Sequence, residues 1–167
     1  MSIVSINTKP PLLDGRQSDR AMSIRRGLQR MFHSLRCSTL AELTLTNGRR
    51  ADLVSLCPKG RITIVEIKSS TEDFRADTKW PDYRNFCDSF FFATLPDVPA
   101  NLFPDTEGLI IADRYDAEIV RDAEEDLLSA ARRRTVVQRF ASCAAERLMH
   151  AEMASEEIAS LTHVQGQ

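Results

Sequence analysis

Three strand-like runs separated by short turns constrain the fold of this chain more than any other feature of its sequence. The first run, 41–46, alternates in polarity and is followed by Asn47-Gly48, a dipeptide that favours a two-residue β-hairpin turn. The second run is 50–56, and Pro58-Lys59-Gly60 turns the chain into the third, 61–68, which reads RITIVEIK. Each turn reverses the chain, so the pattern predicts a short antiparallel meander.

The segments around the meander predict flanking helices and further strands. Continuous apolar runs are typical of strands covered on both faces, whereas long stretches rich in Ala, Glu, Arg and Leu favour helix. The further predicted elements are a helix from a Ser18-Asp19 cap to about Arg36, a partly helical stretch at 69–86 that Pro81 breaks or restarts at Trp80, strands at 89–95 and 108–112, a short edge strand at 118–120, and one long helix or two at 122–161.

The predicted order, α-β-β-β-α-β-β-α, indicates an α/β fold in which a mixed β-sheet with an antiparallel meander is flanked by helices. A chain of 167 residues suits one domain with a single sizeable core. We expect a flexible arm over 1–17, which contains Pro10-Pro11 and Gly15, a single domain over 18–161, and a frayed end over 162–167.

The sequence argues against a membrane or secreted protein. It contains no run of about 18 apolar residues, and its beginning lacks the apolar core and small-residue cleavage site of a secretory signal. We therefore expect a cytoplasmic location. The four cysteines, at 37, 57, 87 and 143, show neither metal-clamp nor Cys-x-x-Cys spacing, and we expect reduced structural thiols.

The net charge of −2 is unevenly distributed along the chain. Residues 1–36 carry a net charge of +5, and the remainder carries −7. One interpretation is that phosphate contacts lie in one place and metal-binding carboxylates in another. The other is a solvated helix face, and charge alone does not choose between them.

Three charged residues lie on the hairpin formed by the second and third runs. Asp52 is seven residues before Lys59, the centre of the turn, and Glu66 is seven residues after it. Opposed residues have Cβ atoms roughly 4.5–5.5 Å apart and point to the same face. Lys68, two residues beyond Glu66, points to that face as well. A register slip of one residue would move Asp52 to the other face.

This cluster suits phosphodiester hydrolysis. Two carboxylates so close repel each other unless a positive charge lies between them, and Mg²⁺ needs only one or two carboxylates together with water and a substrate phosphate. The Lys68 ammonium could orient the attacking water and stabilise the transition state. The alternative is a structural salt bridge between Lys68 and either Asp52 or Glu66.

The segments that carry this pattern resemble a known group of nucleases. A helix, a meander with an acid in its second strand and Glu-x-Lys ending its third, and then a helix and a strand are similar to the restriction-endonuclease-like PD-(D/E)XK superfamily. Over about residues 18–150, the segments RADLVSL, ITIVEIKSS, DFRADTKWPDY, FCDSFFFA and GLIIAD resemble the bacterial MmcB family of DNA-repair endonucleases.

The resemblance implies roles for individual residues. Asp52 and Glu66 would be metal ligands, the backbone carbonyl of Ile67 a further ligand, and Lys68 the catalytic lysine. Ala51 stands where the superfamily's name has a proline, which is often missing there. The expected fold is a restriction-endonuclease-like core, and the expected cofactor is Mg²⁺ or Mn²⁺.

Two functions and one bland interpretation remain open. The leading hypothesis is a metal-dependent DNA nuclease of repair, and the alternative is a non-catalytic module of the same fold that binds DNA or a repair partner. The third interpretation is a small α/β protein in which Glu-x-Lys is a salt bridge. The expected partners are DNA and either a second copy of the chain or a repair protein, with no membrane contact, in the bacterial cytoplasm and at the nucleoid when acting.

Other polar residues are secondary candidates. Lys79 and Tyr83 are four residues apart, so a helix would place both on one face as substrate contacts, while Trp80 is interpreted as an anchor to the sheet. The remaining candidates are Arg25, Arg26 and Arg30 as phosphate contacts, Glu42 as an accessory acid or, by the favoured interpretation, an exposed strand glutamate, and Asp73 and Asp77 as solvated helix acids.

Overall fold

The core of the protein is a six-stranded mixed sheet with its strands in sequence order, β1 to β6. The computed structural model describes residues 18–164, of which the side chains are described up to residue 156. The elements are helix α1 (Asp19–Ser34), strands β1 (Ser38–Thr44), β2 (Arg50–Leu56) and β3 (Ile62–Ile67), helix α2 (Thr71–Ala76), a 3₁₀ segment (Trp80–Phe86), strand β4 (Ser89–Thr94), a short 3₁₀ turn (Ala100–Leu102), strands β5 (Gly108–Ala112) and β6 (Ala117–Arg121), and helix α3 (Ala130–Val164).

The pairing of the strands confirms the predicted α/β class. Strands β1, β2 and β3 form the antiparallel meander, and β6 is antiparallel to β5 at the other edge. Strand β3 pairs with β4, and β4 with β5, in parallel. The two hairpin turns depend on glycine, because Gly48 and Gly60 have φ of 81° and 74°, in the left-handed region that other residues avoid.

Helix α1 covers one face of the sheet. Its cap is the predicted one, since the Ser18 hydroxyl accepts a hydrogen bond from the Ala21 N–H at 3.2 Å. The helix ends at Ser34, and Arg36, with φ of 59°, turns the chain away. Its buried side chains Ile24, Leu28 and Phe32 pack on sheet residues Leu53, Val65, Ile67, Phe91, Ala93, Ile110 and Ala112.

The other face of the sheet is covered by the 3₁₀ segment and the first half of α3. Trp80 stacks on Phe90 with 5.7 Å between ring centroids and meets Phe92 edge-on at 5.3 Å. Trp80 is therefore an anchor to the sheet, as predicted. Val136 and Phe140 bring α3 into the same apolar cluster.

Helix α3 begins at Ala130, eight residues later than the composition predicts. Asp88, which precedes β4, holds the intervening segment out of helical geometry. Its backbone carbonyl accepts from the Asp126 N–H and its carboxylate from the Leu128 N–H, each at 2.9 Å. Those N–H groups are then not free to form helical bonds, so the expected helix over 122–129 is wrong. The first turn of α3 is bound to the same carboxylate through Arg133.

Cys37 and Cys57 form a disulfide, so the expectation of reduced thiols is wrong for this pair. The residues precede β1 and follow β2, and pairing of Ser38 with Leu56 brings their Cα atoms to 4.1 Å. Their separation of 20 residues matches no sequence motif. Cys87 and Cys143 are free thiols.

The described residues do not reach either end of the chain. The predicted arm over 1–17 and residues 165–167 lie outside the described part of the structure, while 162–164 continue α3. Within the described residues, no helix has the length and apolar character needed to cross a membrane.

Candidate functional site

Asp52 and Glu66 lie side by side on adjacent strands. The pairing of β2 with β3, in which Leu53 opposes Val65, continues by one residue to place Asp52 opposite Glu66, as the turn predicted. The Asp52 N–H donates to Glu66 Oε1 at 3.2 Å, and the Ile67 N–H donates to Asp52 Oδ2 at 2.9 Å. Each carboxylate is thus fixed by a backbone group of the opposite strand.

Lys68 completes the cluster at the carboxyl end of β3. Its backbone N–H donates to the Ala93 carbonyl at 2.8 Å, and its carbonyl accepts from the Thr94 hydroxyl at 2.7 Å, so the parallel strand β4 holds the main chain. Glu66 and Lys68 are 4% and 5% exposed. Both charges therefore lie in the interior, where they must find partners or lose their charge.

The hydrogen-bonding partner of Lys68 is Asp77. Lys68 Nζ lies 2.6 Å from Asp77 Oδ2 and 3.8 Å from Glu66 Oε2. The interpretation of Asp77 as a solvated helix acid is wrong, because α2 ends at Ala76 and Asp77 is extended, with φ of −96° and ψ of 106°. The chain there turns back toward the sheet, and Asp77 Oδ1 accepts the Lys79 N–H at 2.8 Å.

Asp73 is exposed, as expected of a helix acid, and it stabilises the start of α2. Its N–H donates to the Ser70 hydroxyl at 3.1 Å, while its carboxylate accepts from the Ser69 N–H at 2.9 Å. These bonds cap the helix immediately after Lys68 and so fix where the chain leaves β3.

The pKa of each carboxylate is raised. Burial raises the pKa of Asp52, the charges of Asp73 and Glu42 add to the rise, and the hydrogen bond from Ile67 and the charge of Lys68 oppose it. Burial and the charge of Asp52 hold the pKa of Glu66 well above its usual value. A buried acidic pair of this kind attracts a cation.

The ammonium of Lys68 stays charged. Burial alone would lower its pKa, but the hydrogen bond with Asp77 and the charges of Glu66, Asp77 and Asp52 outweigh that effect and raise the pKa. Hydrogen bonds from Lys68 and from the Lys79 N–H likewise outweigh burial at Asp77, whose pKa is lowered. The pair is therefore an ion pair inside the site.

Glu42 lies on β1, the first strand of the meander, next to Asp52 of β2. It falls between the pairs Ala41–Leu53 and Leu43–Ala51, opposite Asp52. The favoured interpretation, an exposed strand glutamate, is wrong, because Glu42 is half-buried and has φ of 54°, a strained conformation for a residue with a side chain. Arg147 of α3 holds this bend by donating to the carbonyls of Ala41 and Glu42 at 2.5 and 3.2 Å.

Lys79 and Tyr83 do not share an exposed face. The 3₁₀ segment begins only at Trp80, so Lys79 precedes it; Lys79 is exposed, and it is its backbone N–H that bonds to Asp77. Tyr83 is 7% exposed, and its hydroxyl donates to the Arg50 carbonyl at 2.9 Å. Burial, together with the nearby charges of Glu66, Asp52 and Asp77, raises the pKa of Tyr83 and keeps its hydroxyl protonated.

The arginines of α1 lie on the opposite side of the sheet from the Lys68 ammonium. Glu66 points to the face of Ile64, in the cluster under Trp80, whereas α1 packs on the face of Val65. Arg25 is half-buried and Arg26 is exposed. Arg26 lines a separate groove of about 610 Å³ with Gln29, Arg30, His33, Cys37, Ser38 and Thr39.

The arrangement contains too few side-chain ligands to enclose a metal. Among the described residues, no three His, Cys, Asp or Glu side chains converge as a complete metal site. An ion at Asp52 and Glu66 would thus need water, a backbone carbonyl or a substrate oxygen as further ligands, which is the coordination typical of Mg²⁺.

Sequence reasoning missed Asp77 and Arg147. The break expected at Pro81 was a signal for Asp77, because it left open whether 77–79 is helical. Arg147 carries no local signal, since it is one arginine in a long helix and its contact with β1 spans 106 residues.

Comparisons with known proteins found a family and a solved structure that match most of the chain. A family model described as DNA repair protein MmcB-like matches residues 8–155. A solved structure of a protein of unknown function from Silicibacter pomeroyi is 38% identical, covers 90% of this chain and 97% of that chain, and superposes with a TM-score of 0.77. No curated protein matches the chain.

Proposed function

The chain belongs to the MmcB-like family of DNA repair proteins, and from that membership and the site we propose that it is a metal-dependent nuclease that hydrolyses phosphodiester bonds in DNA. The observation that carries the proposal is the buried group Asp52, Glu66 and Lys68 on the β2–β3 hairpin. Burying two carboxylates and an ammonium together costs folding free energy, so stability alone does not explain the cluster. The same three groups match the needs of phosphodiester hydrolysis.

The donor set fits Mg²⁺ or Mn²⁺. Asp52 and Glu66 supply hard oxygen ligands of the type both ions prefer, and their mutual repulsion is relieved by a cation. With the carbonyl of Ile67 they would hold the ion, leaving room for water and for a phosphate oxygen. When bound, the ion would polarise the phosphodiester and acidify a water molecule.

The protein's own groups would do the remaining work. Lys68 would orient the attacking water and stabilise the negative charge that develops on the phosphorus oxygens. The exposed Lys79 would hold a neighbouring phosphate, and Glu42, beside Asp52, would act as an accessory acid. Arg25 and Arg26 would contact the DNA backbone farther from the cut, so recognition would follow DNA shape rather than sequence.

A cleavage assay tests the proposal. Nicked, gapped, branched and single-stranded DNA would be incubated with Mg²⁺ or Mn²⁺ and the wild type, Asp52→Asn, Lys68→Met or Asp82→Asn. We expect the first two variants to lose activity about 10²–10³-fold. Asp82, an exposed acid paired with Arg49, is the matched control and should retain wild-type activity. Cleavage at equal rates in all four proteins would remove these residues from the chemistry.

The second candidate is a non-catalytic module that binds DNA or a repair partner. The groove with Arg26, Arg30 and His33 favours it, because these groups lie apart from the carboxylates and could bind phosphates without cutting. This function would be supported over the nuclease if the protein bound DNA but did not cleave it with any metal ion. Arg26→Glu should then weaken DNA binding and reduce the salt dependence of the affinity. Unchanged binding by Arg26→Glu would exclude the groove as the DNA contact.

A further inference from the structure

The Lys68 ammonium has two carboxylates within reach and bonds to only one of them. The distance of 2.6 Å to Asp77 Oδ2 is that of a charge-assisted hydrogen bond, while 3.8 Å to Glu66 Oε2 is beyond hydrogen-bond length. The ammonium is therefore hydrogen-bonded to Asp77 and not to Glu66, although both carboxylates are close to it.

This choice matters because a lysine ammonium and a divalent cation would compete for the same Glu66 oxygens. Glu66 Oε1 already accepts the Asp52 N–H, so Oε2 is the oxygen that remains for a further ligand. A lysine side chain has four flexible carbons and rotates readily between partners. Without another acceptor, the buried ammonium would close on Glu66.

Asp77 is held firmly enough to act as that acceptor. Its Oδ1 accepts the Lys79 N–H at 2.8 Å, and Lys79 directly precedes Trp80. Trp80 is itself fixed between Phe90 and Phe92 in the core. The acceptor is thus built into the start of the 3₁₀ segment, and its side chain is only 17% exposed.

We propose that Asp77 is a positioning residue: it takes the hydrogen bond of the Lys68 ammonium and thereby keeps Glu66 Oε2 open to a divalent cation. The inference rests on the proposed function, because it assigns Asp77 a role at the same metal site. Asp77 touches neither the cation nor the DNA, and it acts only through Lys68.

The first experiment needs no metal and no activity. The ¹⁵N-labelled Lys68 ammonium, assigned by its absence in Lys68→Met, is observed by NMR because a buried, hydrogen-bonded ammonium exchanges slowly with water. In Asp77→Asn we expect the Lys68 signal to shift, because the ammonium moves to Glu66. In the double variant Asp77→Asn, Glu66→Gln we expect the signal to vanish, because neither carboxylate remains to bind the ammonium. A signal at the same position in Asp77→Asn would overturn the proposal. Asp77→Ser, which keeps a turn-forming oxygen, replaces Asp77→Asn if the latter does not fold.

The second experiment is a double-mutant cycle on Mn²⁺ affinity, measured by calorimetry. Asp77→Asn should weaken binding about 10- to 100-fold, as loss of an outer partner does at other metal sites. In the Lys68→Met background the same substitution should change nothing, because the competing ammonium is gone. An equal loss in both backgrounds would overturn the proposal, whereas Asp82→Asn should bind Mn²⁺ like the wild type. Failure of the wild type to bind Mn²⁺ would refute the proposed function, and the NMR result would still decide the role of Asp77.

Discussion

At the scale of single residues, reciprocal bonding explains how two acids share one place in the interior. The Asp52 N–H bonds to Glu66, and the N–H that follows Glu66 in the chain bonds to Asp52. Each carboxylate thus accepts a hydrogen bond from a backbone N–H, which does not titrate and which offsets part of the free-energy cost of removing the carboxylate from water. The pair is thereby held in position before any ligand arrives, as electrostatic preorganisation requires.

Asp88 shows the opposite use of a buried acid, because its carboxylate is fully paired. It accepts from the Ile62 and Leu128 N–H groups and from both terminal nitrogens of Arg133. Asp88→Asn would leave Arg133 without its counter-charge, and we expect a loss of about 3 kcal/mol in the free energy of unfolding. Urea unfolding at pH 7 measures the loss.

The same group gives a pH dependence. Burial alone would raise the pKa of Asp88, but hydrogen bonds from Arg133, Ile62 and Leu128 outweigh it and lower the pKa. A lowered folded-state pKa means that the stabilisation is present above the unfolded-state value of about 3.9 and is lost as the pH falls through the folded-state value. Wild-type stability should therefore fall more steeply on acidification than that of Asp88→Asn.

The exposed Asp105, paired with Arg121, is the control, and Asp105→Asn should shift stability by less than about 1 kcal/mol. Parallel pH profiles for wild type and Asp88→Asn would contradict this account.

The candidate site was predictable as far as local geometry extends. A tight turn centred on Lys59 determines that Asp52 opposes Glu66, and the two-residue period of a strand then determines the direction of Lys68. The partner of the ammonium was not predictable in this way. Asp77 reaches Lys68 only because the chain leaves α2 at Ala76. Its four-residue spacing from Asp73 indicated a continuous helix, and only the break expected at Pro81 pointed otherwise.

At the scale of elements, helix α1 can approach the sheet closely because Gly27 has no side chain. A Cβ on Gly27 would lie 2.2 Å from the Asp113 carbonyl oxygen and 2.4 Å from that of Asp116, both in the turn between β5 and β6. Gly27→Ala must therefore push the helix off the sheet, and we expect a loss of at least about 1–3 kcal/mol. Thermal unfolding measures it, with the exposed Gln29→Ala on the same helix as the control. Equal melting temperatures for the two variants would show that the close approach is not required.

Helix boundaries depended on contacts that sequence patterns do not contain. The capped start of α1 is a local signal, because Ser18 bonds to an N–H three residues away. The start of α3 is set by Asp88, 40 residues from Leu128, and no propensity within 122–129 reports it. Local chemistry therefore gave the elements and their order, and tertiary contacts decided where α3 begins.

At the scale of the whole molecule, the mixed sheet places the candidate site where strand directions change. Strands β3, β4 and β5 run parallel, and the carboxyl ends of parallel strands are where α/β sheets bind ligands. Strand β2 runs the other way, so its early residue Asp52 meets the carboxyl end of β3. The meander thus supplies a carboxylate from a strand at the edge of the sheet where, in a purely parallel sheet, only loops would supply such groups.

The disulfide lies at the other end of β2 and can be separated from the site. It closes a span of 20 residues between Cys37 and Cys57, and such a cross-link stabilises a protein by about 3 kcal/mol through the unfolded chain. Reduction, or the double substitution Cys37→Ser and Cys57→Ser, should therefore lower the urea midpoint. Mn²⁺ affinity should stay at the value of the oxidised protein, because Asp52 and Glu66 are held by bonds within β2 and β3.

Controls make the disulfide prediction decisive. Reductant should not change the midpoint of the double-serine protein, and Cys143→Ser, which removes a free thiol, should respond to reductant like the wild type. If reduction left the midpoint unchanged, the link would not stabilise the fold. If it weakened Mn²⁺ binding in the folded protein, the two ends of β2 would be coupled, and the clamp between Asp52 and Glu66 would depend on the whole sheet rather than on the hairpin alone.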